Sequence, residues 1–277
     1  MNAEGNPWAA PGRSGRQREC EPGQANARYY GEVIDAIPFG TMVRFLKKTI
    51  PLPIAIGVTL YFRVRKWLGI SVIPAYGSGG PDNGEVVERQ SMPPRPMSRW
   101  AAWLEQLDDL GFTVLRFSIG DHIGAKESAW AILLDSDRTT FATLQWFRMP
   151  GADGIEERRL IEFNTVVNRR GGRNATSVPT TELMTAVVSE SDLGLQDAFV
   201  LDYIDTAYLP ESVGLMKAWK NHVERLANYT TRSHSEDEAI RVYDRLTQGR
   251  FDWVLDKGYL RELTPKEIRL IAKNRLE

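Results

Sequence analysis

A histidine beside an aspartate is the first pair of residue types suited to catalysis. His122 follows Asp121 in the glycine-flanked string GDHIG, between two predicted strands. Such a pair can act as a general base with its orienting carboxylate, or supply half of a metal site. A polar hairpin tip is the interpretation that we favour, because no partner motif accompanies the pair. Because a base or a metal ligand remains the alternative, His122 is a candidate ligand-binding residue.

Two aspartates one residue apart form the second candidate. The apolar run 131–134 leads directly into Asp135-Ser136-Asp137-Arg138, and two threonines follow. This string resembles the first motif of the haloacid-dehalogenase-like phosphatases over about ten residues. The resemblance implies that Asp135 accepts the phosphoryl group, that Asp137 is a general acid/base, and that Mg²⁺ neutralises the phosphate. A hairpin turn is the alternative, because Asp and Ser are common turn residues.

A cluster of arginines surrounds a predicted Gly-Gly turn. Arg169 and Arg170 precede the two glycines, and Arg173 follows them. Guanidinium groups and glycine N–H groups together could bind an anion or a phosphate. We favour a solvated turn with arginines at the strand ends. Because the basic residues are not interleaved with exposed aromatic residues, no nucleic acid partner is predicted.

The stretch from Ala36 to Gly80 contains no acidic residue. Its apolar run, 50–62, would be roughly 20 Å long as a helix, which is shorter than a hydrocarbon core of about 30 Å. One interpretation, which we favour, is a buried strand or short helix pair with solvated basic flanks. The other is a monotopic anchor whose cations face anionic lipid headgroups. These cations are Arg44, Lys47, Lys48, Arg63, Arg65 and Lys66.

Composition restricts the remaining classes of function. The 277 residues are 42% hydrophobic and 26% charged, with a net charge of −1, as in an ordinary globular protein. Cys20 is the only cysteine, which excludes an internal disulfide and a multi-cysteine metal site. We expect no cofactor. We expect a cytoplasmic location or, under the anchor interpretation, a peripheral position at the inner face of the membrane.

Turn residues and changes in composition divide the chain into five parts. We predict a disordered tail at 1–27, the basic apolar segment at 28–76, a linker at 77–97, an α+β domain at 98–232 and a helical extension at 233–277. The linker is expected to be flexible at its glycines and extended at its prolines. Residues 180–209 mix strand-like and helix-like patterns and are left unassigned.

The α+β domain is predicted to begin with a helix that Ser98 caps and Gly111 ends. Strand patterns follow at 113–119, 129–134, 141–147 and 160–167. The connections at 135–138, 150–154 and 169–173 are too short for a parallel crossover. We therefore predict an α+β fold in which a helix is followed by a mainly antiparallel four- to five-stranded sheet, with helices at the C-terminus.

No named family is recognised over the chain as a whole. We predict a non-enzymatic α+β module that binds a protein or a small ligand, with an anionic membrane surface as a further candidate partner. The alternative is a Mg²⁺-dependent phosphatase that uses Asp135 and Asp137. The sheet distinguishes the two hypotheses, because the phosphatase needs a central parallel strand that ends at these aspartates.

Overall fold

The computed structural model describes residues 28–47, 50–70, 72–81, 84–151, 154–169, 181–189, 193, 201 and 203–274. Helices and mainly antiparallel strands are mixed along these residues, so the predicted α+β class is confirmed. The predicted tail at 1–27 and the candidate residues Lys48, Arg170 and Arg173 lie outside the described residues.

The described helices precede, interrupt and follow the strands. They are α1 (Phe39–Leu46), α2 (Leu52–Trp67), α3 (Pro94–Asp109), α4 (Leu215–Leu226), α5 (Glu236–Asp256) and α6 (Pro265–Ile271). The strands are β1 (Tyr29–Glu32), β2 (Tyr76–Gly79), β3 (Glu85–Val87), β4 (Thr113–Ile119), β5 (His122–Gly124), β6 (Glu127–Leu134), β7 (Thr140–Gly151), β8 (Gly154–Arg169), β9 (Glu182–Val188), β10 (Ile204–Pro210), β11 (Tyr229–Thr231) and β12 (Leu260–Glu262).

The larger sheet has eight strands in the order β10-β9-β8-β7-β6-β4-β3, with β11 paired to β8. Its pairs are antiparallel except for β10 and β9, which are parallel. The sheet exceeds the four to five predicted strands because it also contains β3, β9, β10 and β11. Strand β3 comes from the predicted linker, β9 and β10 come from the stretch left unassigned, and β11 comes from a stretch where no strand is predicted.

Helices cover both faces of this sheet. Helices α3 and α4 pack on one face, where Trp100, Trp103 and Leu215 join the main core cluster. Helix α5 packs on the other face, where Ala239 and Val242 contact Phe141 and its neighbours. The strands of a sheet with two covered faces lose the apolar–polar alternation of a half-exposed sheet.

The start of α3 differs from the prediction. The helix begins at Pro94, with Pro93 as its N-cap residue, so Ser98 lies inside the helix and does not cap it. Its hydroxyl donates to the Arg95 carbonyl at 2.8 Å. Prolines fit the first turn because the N–H groups there have no partner within the helix. Gly111 has a φ of +80°, as expected of the glycine that follows a helix.

A smaller four-stranded sheet joins distant parts of the chain in the order β12-β1-β2-β5. Strand β1 pairs with both β2 and β12, and β2 also pairs with β5. The stretch 77–97, predicted to be a linker, contains most of β2, all of β3 and the first turn of α3, so Pro94 and Pro96 lie in a helix rather than in the predicted extended segment. Backbone pairing with distant strands fixes β2 and β3, and a local reading of glycine content cannot detect it.

Candidate functional site

The two aspartates lie in the tight turn that joins β6 to β7. Asp135 Oδ1 accepts hydrogen bonds from the N–H groups of Thr139 and Thr140 at 2.7 and 2.9 Å, and Oδ2 accepts from the Thr139 hydroxyl at 3.2 Å. Arg138 turns the chain with a φ of +59°. Burial raises the pKa of the Asp135 carboxyl, while these hydrogen bonds oppose the change. Asp135 is therefore a turn-stabilising group.

This geometry does not fit the metal-assisted chemistry that the resemblance implies. Strand β6 is antiparallel to both of its neighbours, β4 and β7, whereas the phosphatase motif requires a parallel strand. Both Asp135 oxygens already accept hydrogen bonds, and Asp137 is exposed. Among the residues that the structure describes, no group of three or more His, Cys, Asp or Glu side chains could hold a metal ion.

His122 begins β5, a strand of the smaller sheet, rather than occupying a free hairpin tip. Its Nε2 forms a short hydrogen bond with the Ser128 hydroxyl. Burial and then the positive charge of Lys126 lower the pKa of His122 to about 3. Gly120 makes this contact possible, because a Cβ there would lie 2.3 Å from Ser128 Oγ and 2.4 Å from His122 Nε2. The imidazole is therefore neutral at physiological pH.

Arg169 ends β8, where its backbone pairs with Tyr229 of β11. The predicted anion site at this turn needs Arg170 and Arg173 as well. Both lie beyond the part of the chain that the structure describes. The arginine cluster therefore stays a prediction from the sequence.

A second histidine, His222 on α4, is fully buried between two strands. Its ring nitrogens lie 2.9 Å from Thr165 Oγ1 and 3.0 Å from Thr185 Oγ1. Burial and then the charge of Arg225 lower the pKa of His222 to about 3. Arg225 donates to the Thr185 hydroxyl at 2.8 Å, so Thr185 links His222 to Arg225. These groups satisfy one another inside the core.

A buried ion cluster connects α5 to the face of the larger sheet. The Arg250 guanidinium binds Glu182, and it donates to Asn164 Oδ1 at 2.7 Å and to Glu162 Oε2 at 3.3 Å. Glu182 is fully buried. Burial raises the pKa of Glu182, and the charge of Arg250 opposes that change. The cluster explains why Asn164, which an alternating strand would expose, is 1% exposed.

An open cleft of about 330 Å³ lies between the larger sheet and α3. Its arginines are already engaged by carboxylates: Arg99 lies 3.1 Å from Glu157, and Arg159 lies 3.1 Å from Glu211. Arg159 also stacks on the Trp103 ring at 4.4 Å. Among the described residues that line the cleft, ion pairs with carboxylates leave no arginine unpaired to draw in an anionic ligand.

The basic apolar segment forms two short helices, α1 and α2, which pack against each other. We call this pair the α1–α2 hairpin. The helix pair agrees with one interpretation of the sequence, but most of its apolar side chains are exposed rather than buried. Along α2 only Ala55 and Thr59 are buried. Leu60, Val64 and Leu68 recur every four residues and are 49%, 52% and 57% exposed.

The rest of the outer surface of the hairpin has the same character. Its other exposed large apolar residues are Phe39, Leu52, Ile54, Ile56, Tyr61 and Trp67. Trp67, the last residue of α2, is 85% exposed. Soluble proteins rarely expose so many neighbouring large apolar side chains, and such patches indicate interaction surfaces.

The predicted cations lie at the sides and at the base of the hairpin. Arg44 and Lys47 are exposed near the end of α1. Arg63 donates to the carbonyls of Asp35 and Ile37, and Lys66 donates to the Asp35 carbonyl at 3.4 Å.

These contacts hold the C-terminal half of α2 against the short turn that precedes α1. Arg65 completes the basic flank and donates to the Tyr61 hydroxyl at 3.1 Å. Cations therefore border the apolar surface and leave its centre uncharged.

Helix α2 has 16 residues and extends beyond the apolar run 50–62, so it is about 24 Å long rather than roughly 20 Å, which is still shorter than a hydrocarbon core of about 30 Å. No helix within the described ranges is long and apolar enough to cross a membrane. The comparisons with known proteins supply no identity: no family model matches this chain, and neither does any curated protein or solved structure.

Proposed function

We propose that this protein is a non-enzymatic α+β module that binds an anionic membrane surface through the α1–α2 hairpin. The observation that carries the proposal is the exposed apolar surface of α2. A helix whose outward face consists of half-exposed leucine and valine side chains gains free energy when a partner covers that face.

The charge pattern supports a lipid partner over a second copy of the chain. The stretch from Ala36 to Gly80 has six basic residues and no acidic residue, so two copies placed face to face would repel each other. Anionic headgroups attract each such cation by about 1 kcal/mol. A membrane surface complements both the apolar centre and the basic border.

The side-chain arrangement supports a helix that lies in the plane of the interface. Ala55 and Thr59 are buried, whereas the helical spacing places Leu60, Val64 and the C-cap residue Leu68 on the opposite side of α2. An interfacial helix buries its apolar face at the boundary between headgroups and acyl chains. Trp67 suits the end of such a helix, because tryptophan favours the headgroup level of a bilayer.

The proposal can be tested by replacing Leu60 and Val64 with glutamate. Fully burying a leucine or valine side chain is worth about 1.5–3 kcal/mol, so each half-exposed side chain can contribute about 1 kcal/mol. Each new carboxylate adds a repulsion of about 1 kcal/mol near anionic lipid. We expect the double variant to bind phosphatidylserine-containing vesicles at least about 100-fold more weakly in co-sedimentation.

The matched control is Val86→Glu with Ile155→Glu, which places the same charges on apolar residues of comparable exposure outside the hairpin. The control should bind like the parent protein. Arg44→Gln with Lys47→Gln should weaken binding to anionic vesicles by about 30-fold, since about 2 kcal/mol of attraction is removed. Equal pelleting of the parent and Leu60→Glu/Val64→Glu proteins would refute the proposal. So would self-association through the hairpin without any vesicle binding.

A further inference from the structure

Helix α6 presents a basic outer face to solvent. Lys266 and Arg269 are exposed and three positions apart, and the exposed Lys273 follows four positions later, just past the end of the helix. This spacing places the three cations on one side of α6. Among the described residues, no carboxylate forms an ion pair with any of them. Leu270 lies next to Arg269 and is 41% exposed.

The acidic residue of α6 does not reduce this charge, because Glu267 lies on the inner side of the helix. Glu267 is buried. Its carboxylate accepts hydrogen bonds from the Arg261 guanidinium and from the Thr264 N–H, each at 2.9 Å. The charge of Glu267 is therefore neutralised within the protein, and the outer face of α6 carries positive charge alone.

The end of α6 lies beside the point where the chain leaves the α1–α2 hairpin. Gly124 of β5 touches both parts of the chain. A Cβ on Gly124 would lie 2.6 Å from Ile271 Cγ2 and 2.7 Å from the Ala75 carbonyl oxygen. Ile271 is the last residue of α6, and Ala75 directly precedes β2. Helix α6 and the exit of the hairpin are thus neighbours on the smaller sheet.

Exposed apolar side chains continue from α2 towards this exit. Leu68, Ile70 and Ile73 follow the last residue of α2 and are 57%, 47% and 50% exposed. Ile73 is two positions before Ala75, the residue that shares a contact with α6. The apolar surface of the hairpin therefore does not end with α2 but continues along the chain to the side of α6.

We propose that α6 is a second contact of this protein with the anionic membrane surface, beside the α1–α2 hairpin. The inference rests on the proposed function of the hairpin and adds a second element to that site. Cations without a carboxylate partner can pair with lipid headgroups without first losing an ion pair in the protein. Each cation near an anionic surface raises the affinity by roughly 5-fold.

The apolar neighbours favour a lipid surface over a nucleic acid as the partner of this basic face. Leu270 and Ile73 gain free energy when they leave water for the boundary between headgroups and acyl chains, whereas a phosphate backbone offers them no such environment. Two contacts also restrict the bound protein more than one does. A single interfacial helix allows the attached sheets to tilt, and a second contact at α6 removes much of that freedom.

An environment-sensitive dye on the full chain tests the proposal. Cys20→Ser removes the only native cysteine, and Leu270→Cys, Leu60→Cys or Met216→Cys then supplies one exposed thiol for a nitrobenzoxadiazole maleimide. Met216 on α4 is the matched control, because it is 52% exposed. With phosphatidylserine-containing vesicles, we expect a several-fold rise in emission at positions 60 and 270 and no change at position 216.

The outcomes separate this proposal from that of the hairpin. A response at position 60 without one at position 270 would overturn the α6 contact and leave the hairpin proposal intact. A response at position 270 without one at position 60 would refute the hairpin proposal and with it the two-contact arrangement. No response at either position would refute both. A response at position 270 to an RNA oligonucleotide but not to vesicles would also overturn the α6 contact.

Removal of charge gives a second readout. Arg269→Gln with Lys273→Gln should weaken binding to the same vesicles by about 30-fold in co-sedimentation at about 0.1 M salt. The control, Lys217→Gln with Arg241→Gln, removes the same charge from exposed positions on α4 and α5 and should change binding by less than about 3-fold. Equal weakening by the two double variants would overturn the proposal, because net charge alone would then account for the effect.

Discussion

Replacing Arg250 with methionine isolates the electrostatic role of the buried ion cluster. Methionine keeps most of the aliphatic length of arginine but has no charge. Arg250 is the only cation among the described residues that forms an ion pair with Glu182, which is fully buried. The substitution therefore leaves a carboxylate in the core without its counter-charge.

The expected cost follows from this geometry. Removing one member of a buried ion pair destabilises a protein by about 3–5 kcal/mol, because the other charge stays desolvated. Arg250 also donates to Asn164 and Glu162, which places the expected loss towards the upper end. The control is Arg245→Met on the same helix, where the side chain is exposed, with a change within about 0.5 kcal/mol.

The pH dependence of the loss gives a second, independent readout. Burial raises the pKa of Glu182, and Arg250 opposes that change. Without Arg250, the folded-state pKa of Glu182 rises further while the unfolded-state pKa stays the same. A carboxyl whose folded-state pKa exceeds its unfolded value takes up protons on folding. The Arg250→Met protein therefore regains stability relative to the parent as the pH falls.

Urea unfolding of the parent and both variants at about pH 8 and about pH 5 measures these quantities. The deficit of Arg250→Met should be largest at the higher pH and smaller at the lower pH. A deficit below about 1 kcal/mol, or one that grows as the pH falls, would contradict the assignment of Glu182 as a buried, Arg250-dependent carboxylate.

Two further predictions concern single turns of the chain. Asp135→Ala should lower the free energy of unfolding by about 1–3 kcal/mol, because it removes the acceptor of three hydrogen bonds, whereas Asp137→Ala should change it by at most about 0.5 kcal/mol. Equal effects of the two substitutions in urea unfolding would argue against the turn-stabilising role. Gly124→Ala should destabilise by more than about 1 kcal/mol, because Gly124 has a φ of +83° and the new Cβ would lie 2.7 Å from the Ala75 carbonyl oxygen. The control is Gly40→Ala, because Gly40 lies in a helix and a Cβ there would have nothing within 4 Å. This substitution should be neutral or should stabilise by up to about 1 kcal/mol. A destabilisation equal to that of Gly124→Ala would contradict the steric argument.

The strands of the central sheet are predictable because their signals are local. Residues 129–134 are apolar throughout, 141–147 and 160–167 are rich in β-branched and aromatic residues, and short connections allow only antiparallel neighbours. The covering of the second face is not a local property. Asn164 alternates as an exposed strand residue would, and only the distant Arg250 on α5 makes it a buried one.

The features of the α1–α2 hairpin also differ in how far the sequence predicts them. The charge pattern of the α1–α2 hairpin is visible in the sequence, since the absence of acidic residues needs no structure. Exposure of Leu60 and Val64 is not, because an apolar run is equally compatible with a buried helix. The contact of the Lys126 amine with two aromatic rings has no signal in the sequence. The aromatic neighbours Tyr76 and Phe147 are 50 and 21 positions away, so only the approach of the two sheets brings them together.

The pairing of β1 with β2 has a consequence for how the chain is assembled. Tyr29 lies opposite Gly79 and Tyr30 opposite Ser78, so the whole α1–α2 hairpin is an insertion between two adjacent strands. Its entry and exit points are held together by the sheet, and Tyr76 binds Glu32 across them. A short turn that replaced residues 33–75 would therefore still connect the same two strands. Domain insertions are tolerated at places where the two ends of the inserted segment lie close together, and this chain has such a place at the base of its most exposed apolar surface.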